Sequence, residues 1–158
     1  MFSQTTEYAL RAIIHLAGQE GLKAPTTAQI SCATLIPSNY LAKVLRSLSR
    51  AALVHSQRGP GGGHKLTRNP AELTVLQVVN AVDSLTRIQS CPLGPEHHQE
   101  LCPLHRRLDS AIAMVEDAFA KTTIAELLPK PTSRKGTCQF PCVSVSEVSP
   151  CKATRASN

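Results

Sequence analysis

Residues 26–66 read TTAQISCATLIPSNYLAKVLRSLSRAALVHSQRGPGGGHKL. Thr26 followed three residues later by Gln29 is a capping-box spacing, with Pro25 just ahead of it, and it opens a short helix through Ile30 to Thr34. Leu35-Ile36-Pro37 breaks that helix, because Pro37 has no N–H for the ladder and pushes Ile36 out of the helical region. A further helix begins with Ser38 as its expected N-cap. Leu41, Val44, Leu45, Leu48 and Ala52 fall on one apolar stripe, and Asn39, Lys43, Arg46 and Arg50 fall on the opposite, basic one. Leu53 to Gln57 reads as a strand, Arg58 to Gly63 as a tight Gly/Pro loop and His64 to Thr67 as the returning strand. Two helices joined by a Pro-containing turn and followed by a β-hairpin make a winged helix-turn-helix. The basic face of the second helix is what a recognition helix needs.

Working outward, Leu10, Ile13, Ile14 and Ala17 make an amphipathic helix of Ser3 to Gly18. Thr74 and Gln77 repeat the capping-box spacing and open a helix to Asp83. A loop holding Cys91, Pro92, His97 and His98 follows. From about Gln99 to Leu128 one long helix is expected, stopped by Pro129, with Leu104, Leu108, Ala111, Val115, Ala118 and Thr122 on one stripe and Leu101 and Ile112 beside it. At 1.5 Å per residue this spans about 40 Å, more apolar face than so small a domain covers, so it is read as a dimerisation helix. The expected fold is mainly α with a small β-hairpin. Residues 1–85 form the DNA-binding winged helix-turn-helix, 86–128 the Cys/His loop and dimerisation helix, and 129–158 a flexible basic tail.

Composition narrows the function classes. At 158 residues the chain is too short for a barrel enzyme or a two-domain dehydrogenase. Apolar residues make up 42% but aromatics only 3%, which gives an aliphatic core suited to packed helices. The net charge of +6 is uneven: residues 1–85 carry 8 basic and 4 acidic side chains, 86–128 carry 4 and 6, and 129–158 carry 5 and 1. A basic front half ahead of an acidic back half points to an anionic partner at the front, and the winged helix-turn-helix makes that partner double-stranded DNA. No signal-like run and no stretch near 18 apolar residues is present, so a cytoplasmic protein with no membrane partner is expected, its six cysteines serving metal or redox chemistry.

The run Ile36-Pro37-Ser38-Asn39-Tyr40-Leu41, the wing Ser56-Gln57-Arg58-Gly59-Pro60-Gly61-Gly62-Gly63 and the opening Glu7-Tyr8-Ala9-Leu10-Arg11-Ala12 together resemble the Rrf-two family of bacterial winged-helix transcription regulators. The resemblance covers residues 1 to about 128. It implies a homodimer that binds promoter operators, often with an iron–sulphur cluster in the loop before the long helix. Cluster-binding members commonly show three cysteines there. This chain has Cys91 and Cys102 as C-x10-C, with Glu96-His97-His98 at the middle position and the C-x-x-H ending Cys102 to His105. The resemblance also makes Glu7 a candidate ligand, reaching the cluster of the partner subunit.

The candidate DNA-binding residues are Ser38, Asn39, Tyr40, Lys43 and Arg46 on the recognition helix and Arg58, Gly59, His64 and Lys65 on the wing. Arg58 on a Gly-rich tip can enter the minor groove, and Ser38 and Tyr40 can donate to phosphates near a helix N-terminus. A solvated polar face is the commoner fate of such stripes and a solvated charge that of Gly-rich loops; for Arg58, the helix-turn-helix placed just before its loop is what favours function. The candidate metal ligands are Cys91, Cys102, His97, His98, His105 and Glu7. Two thiolates with imidazoles can hold a 2Fe–2S cluster, since His can replace Cys on one iron, and the same set can hold tetrahedral zinc. A metal-free loop is the bland alternative, and so is a cluster-free regulator. A thiol oxidoreductase using Cys91 and Cys102 lacks a C-x-x-C in a βαβ context. The tail cysteines Cys138, Cys142 and Cys151 read as incidental, and Cys32 as a small core residue.

Overall fold

The computed structural model of the chain describes residues 3–19, 21–59, 61–91 and 101–129. Helix α1 (Gln4–Ala17) is capped by Ser3, whose hydroxyl accepts from the Thr6 N–H. Helix α2 (Thr27–Thr34) opens on the expected capping box: Gln29 N–H donates to Thr26 Oγ1 at 3.3 Å, and Thr26 N–H donates to Gln29 Oε1 at 2.8 Å. Helix α3 (Ser38–Arg50) buries Leu41, Val44, Leu45 and Leu48 and leaves Asn39, Lys43, Arg46 and Arg50 exposed. Helix α4 (Val75–Val82) has the second capping box, Thr74 with Gln77. Ile13, Ile30, Leu41, Leu48, Val78 and Ile124 fill the middle of the core. It is aliphatic, as a chain poor in aromatics requires.

The turn between α2 and α3 departs from the reading of the sequence. Pro37, not Ser38, stands at the N-cap: its φ of −56° is set by its ring and its carbonyl accepts from Leu41 N–H at 3.0 Å. Ser38 is the first helical residue. Its hydroxyl shares a hydrogen bond with Ser31 Oγ, which donates to the Ile36 carbonyl at 2.6 Å and closes the turn.

Ala52 likewise leaves the apolar stripe. It is exposed, beyond the end of α3, with φ of +55°. Leu53 N–H donates to Leu48 O and Ala52 N–H to Ser49 O, which is the bond pattern of a Schellman motif with Ala52 at the position glycine favours. The left-handed conformation costs an L-residue about 1–2 kcal/mol, partly offset by the extra freedom glycine has when unfolded. Ala52→Gly is therefore expected to stabilise the fold by about 0.5–1 kcal/mol. A urea midpoint that stays put or falls in this variant would contradict the assignment.

Strands β1 (Val54–Gln57) and β2 (Gly63–Leu66) pair antiparallel, with Val54 opposite Leu66 and Ser56 opposite His64. The loop end of this hairpin docks on the residues before α2. His64 N–H donates to the Pro25 carbonyl at 2.9 Å, and a Cβ on Gly63 would lie 2.4 Å from the Ala24 carbonyl oxygen, so only glycine fits.

The long helix is shorter than expected. Helix α5 (Pro103–Lys121) has 19 residues, about 28 Å. Leu101 and Cys102 are not helical, and Pro103 opens the helix with Cys102 as its N-cap. At the far end Thr123 and Glu126 form a third capping box, which starts a separate short helix, α6 (Ile124–Leu127). The break lets the chain clasp the segment before α4. Val75 N–H donates to the Thr122 carbonyl at 2.9 Å, Ile124 N–H donates to the Leu73 carbonyl at 2.8 Å, and Ile124 is fully buried. Burying that side chain and satisfying those backbone groups outweighs continuing the α5 ladder. None of the residues of α5 is buried, and Leu104, Leu108 and Val115 of the expected stripe are exposed at 59%, 46% and 41%. Phe119, at the edge of that stripe, packs on the core.

Candidate functional site

Two places on the molecule gather the candidate residues. The first is the face made by α3 and the hairpin. Buried Leu41, Val44, Leu45 and Leu48 fix the rotation of α3, so that Asn39, Lys43 and Arg46 project outward. Tyr40 is half exposed and leans on Tyr8 of α1, with ring centroids 6.2 Å apart, and Lys43 Nζ stands 5.9 Å from the Tyr40 ring. Asn39 Oδ1 accepts from the Tyr40 N–H at 2.9 Å, which orders the first turn. Arg58 and Gly59 are exposed at the end of β1, where Gly59 has φ of +97°. Lys65 is exposed on β2.

Between α3 and the hairpin lies a groove of about 480 Å³ lined by Thr27, Arg46, Ser49, Ser56, Arg58 and His64. Ala42 and Leu45 also line it, and the Arg46 and Arg58 guanidinium groups border it. His64 is half-buried in it, not at the hairpin tip. Its Nδ1 shares a hydrogen bond with Ser56 Oγ at 2.8 Å, and its Nε2 shares one with Thr27 Oγ1 at 2.9 Å. Burial lowers its pKa, so the ring is neutral at pH 7, with one nitrogen donating and the other accepting.

The second place is the N-terminal end of α5. Here the structure brings Cys91, Cys102 and His105 together, their ligand atoms all within 4.8 Å of one another. His105 Nδ1 is 3.3 Å from Cys91 Sγ and 3.2 Å from Cys102 Sγ. Cys102 and His105 are one helical turn apart. Cys91 comes from the segment after α4, which runs back along α5 because Arg87 grips Asp109. Arg87 Nε and Nη2 donate to the two Asp109 oxygens at 2.7 and 2.6 Å, Ile88 N–H donates to Asp109 Oδ1 at 3.0 Å, and Arg87 also reaches Glu116 at 3.8 Å. The Arg87 hydrogen bonds hold the Asp109 carboxyl below its usual pKa range, and the Ile88 N–H adds to this. The pairing spans 22 residues, so no local spacing announces it.

Of the other candidate ligands, Glu7 sits on α1 in an ion pair with Arg11 and is not in this group. His97 and His98 lie outside the described residues, as do the tail cysteines. Cys32 is half-buried on α2. No helix among the described residues is long and apolar enough to cross a membrane.

The sequence profile of the Rrf2 (Rrf-two) family, described as iron-dependent transcriptional regulators, matches residues 2–130. The chain belongs to the Rrf2 family. It is 30% identical over 132 residues to a protein of Aquifex aeolicus named an HTH-type transcriptional regulator, with 81% of this chain and 91% of that one covered. It is 27% identical over 143 residues to the HTH-type transcriptional regulator NsrR of Shouchella clausii, with 85% and 93% covered. In fold it is similar to CymR, the global cysteine regulator of B. subtilis, at TM-score 0.65 and 24% identity over 80% of this chain and 95% of that one. It is also similar to T. potens IscR, at TM-score 0.70 and 19% identity over 86% and 93%. This Rrf2 chain is a DNA-binding transcription regulator built as a winged helix. The relatives are regulators and not enzymes, which removes the thiol oxidoreductase alternative.

Proposed function

We propose that this Rrf2 regulator is a homodimer that reads a specific operator with α3 and the hairpin, and that a metal site at the start of α5 sets its affinity. The observation that carries the reading is the Cys91, Cys102 and His105 group at the N-terminal end of a helix whose apolar stripe is exposed. A site on that helix is coupled to whatever the helix packs against. On the DNA side, Ser38, Tyr40 and Lys65 would hold phosphates, Asn39, Lys43 and Arg46 would face the major groove, and Arg58 with Gly59 would enter the minor groove.

The donor set fits a 2Fe–2S cluster in chemistry, with thiolates and an imidazole as terminal ligands. Such a cluster supplies redox chemistry, which would make the site a sensor of redox state, nitric oxide or iron–sulphur supply. Three donors leave one position to fill, for which His97, His98 and Glu7 of a second copy are the candidates. The chain's own part is mechanical. Arg87 and Asp109 hold Cys91 against α5, so a change at the thiolates bears directly on the start of the helix. With α5 as the dimer seam, that change alters the separation of the two α3 helices, which must match one turn of DNA.

The compactness of the group favours a second reading. Tetrahedral zinc with bonds of about 2.0–2.3 Å has ligand–ligand edges of roughly 3.3–3.8 Å, close to the separations around His105. Anaerobic purification followed by a visible spectrum and iron, sulphide and zinc analysis separates the two. Iron with sulphide supports the cluster; stoichiometric zinc without colour supports the ion; a protein that takes up neither, even after reconstitution, leaves a cluster-free regulator.

Two results are expected on the DNA side. Duplex binding should weaken steeply between about 50 and 200 mM salt, because phosphate contacts release counterions. An affinity flat in salt would contradict a basic recognition face. Arg58→Ala should cost about 1–3 kcal/mol of operator binding, as for loss of a good groove contact. Unchanged operator affinity in that variant would take the hairpin tip out of recognition.

A further inference from the structure

We infer that His64 is a positioning residue for DNA recognition, one that fixes the angle of the hairpin to the recognition helix through a relay of side-chain hydrogen bonds. The inference rests on the DNA-binding reading of this face. The relay runs from Ser49 Oγ on α3 to Ser56 Oγ on β1 at 2.9 Å, from Ser56 Oγ to His64 Nδ1 on β2 at 2.8 Å, and from His64 Nε2 to Thr27 Oγ1 on α2 at 2.9 Å. Four elements meet in three bonds, and the imidazole is the one member with two separate arms.

Apolar packing holds one end of the hairpin, where Val54 is buried and Leu66 lies against the core. Val54 and Gly63 are its buried residues, while His55, Ser56, Gln57, Arg58 and Lys65 are exposed. An apolar core does not set the angle of a hairpin this exposed, whereas hydrogen bonds, being directional, do. The main chain ties the loop end of β2 to Pro25, so the hairpin is attached at both ends. The His64 ring lies beside the loop-end attachment and fixes the remaining freedom, the roll of the hairpin about the line joining its two ends. The bonds stand in the groove between Arg46 and Arg58, so the relay sets the distance between a major-groove reader and a minor-groove reader. Hydroxyl partners suit this task, since each can donate or accept and so match either tautomer of the ring.

The relay is distinguishable from a general stabilising role because it predicts which base positions lose their identity. An operator is first selected from a random duplex library by the wild-type protein. Arg58→Ala then marks the positions read by the hairpin, and Lys43→Ala those read by α3. His64→Leu is expected to keep its circular dichroism spectrum and to bind the selected duplex at least tenfold more weakly. It should lose preference at the positions Arg58→Ala loses, while retaining those that depend on Lys43. His64→Asn, whose amide reaches where Nδ1 stands, and His64→Gln, whose amide reaches where Nε2 stands, each keep one arm and should recover part of the hairpin-dependent preference. Wild-type selectivity in His64→Leu, a uniform loss over all positions, or no recovery in either amide variant would overturn the inference. A wild-type protein that selects no duplex at all is a different outcome and overturns the DNA-binding assignment of this face.

Discussion

Anaerobically purified Cys91→Ala and Cys102→Ala proteins are each expected to lose the bound metal entirely, not by halves. The two sulphurs share one imidazole, with His105 Nδ1 within 3.3 Å of both, so removing either leaves one thiolate, His105 and the fourth ligand proposed above. With only one thiolate left, such a set holds neither a cluster nor a tetrahedral ion firmly. The fold should survive, because both cysteines are only partly buried and neither belongs to the core. Asp109→Asn is expected to weaken metal retention indirectly, by loosening the segment that delivers Cys91, and second partners of this kind typically change affinity by about 10–100-fold. Full metal content in either cysteine variant would show that the ligands lie elsewhere in the chain.

The other large effect concerns α5. Leu108→Glu is expected to convert the protein to a monomer and to weaken operator binding by more than about 100-fold, since a monomer engages one half-site without the linked second one. Leu108 is 46% exposed in the single chain, so a glutamate there meets water and leaves the monomer fold intact. In a dimer packed along Leu104, Leu108 and Val115 the same carboxylate would be desolvated without a partner, a cost of several kcal/mol. Sedimentation reads the association state and circular dichroism the fold. A variant that stays dimeric would place the seam away from this stripe.

What was legible in the sequence was local. The Thr26/Gln29 and Thr74/Gln77 boxes, the Leu41 to Leu48 stripe and the Gly-rich hairpin each express themselves within a few residues, and the structure has all of them. Misreadings came where a distant partner decides. Thr123/Glu126 has the same spacing as the other two boxes, but the apolar periodicity running through it favoured one long helix. Only the buried site waiting for Ile124 beside Leu73 makes the break worthwhile. Ala52 reads as one more apolar residue on a stripe, whereas the turn into β1 needs a left-handed residue there. In the candidate sites, cysteine and histidine spacing marked Cys91, Cys102 and His105. Arg87 and Asp109, which bring Cys91 to the others, carry no motif. His64 stood out for its place in the hairpin, but its partners on α2 and β1 are visible only in three dimensions.

The clasp at Thr122 to Ile124 makes α5 a beam clamped at one end. Its C-terminal end is held to Leu73 and Val75 by backbone bonds and by Ile124 in the core, while Cys102 and His105 sit at the other end, about 28 Å away. Between the ends Arg87 braces it through Asp109 and Glu116, and Phe119 rests on the core nearer the clamp. A tilt of about 5° at the clamp displaces the cysteine end by about 2 Å, which is the scale on which packed helix interfaces switch between arrangements. Read in reverse, the same leverage means that a small displacement at the thiolates reaches the DNA-reading module as a rotation of only a few degrees, delivered at Leu73 to Val75, directly behind the core that carries α3.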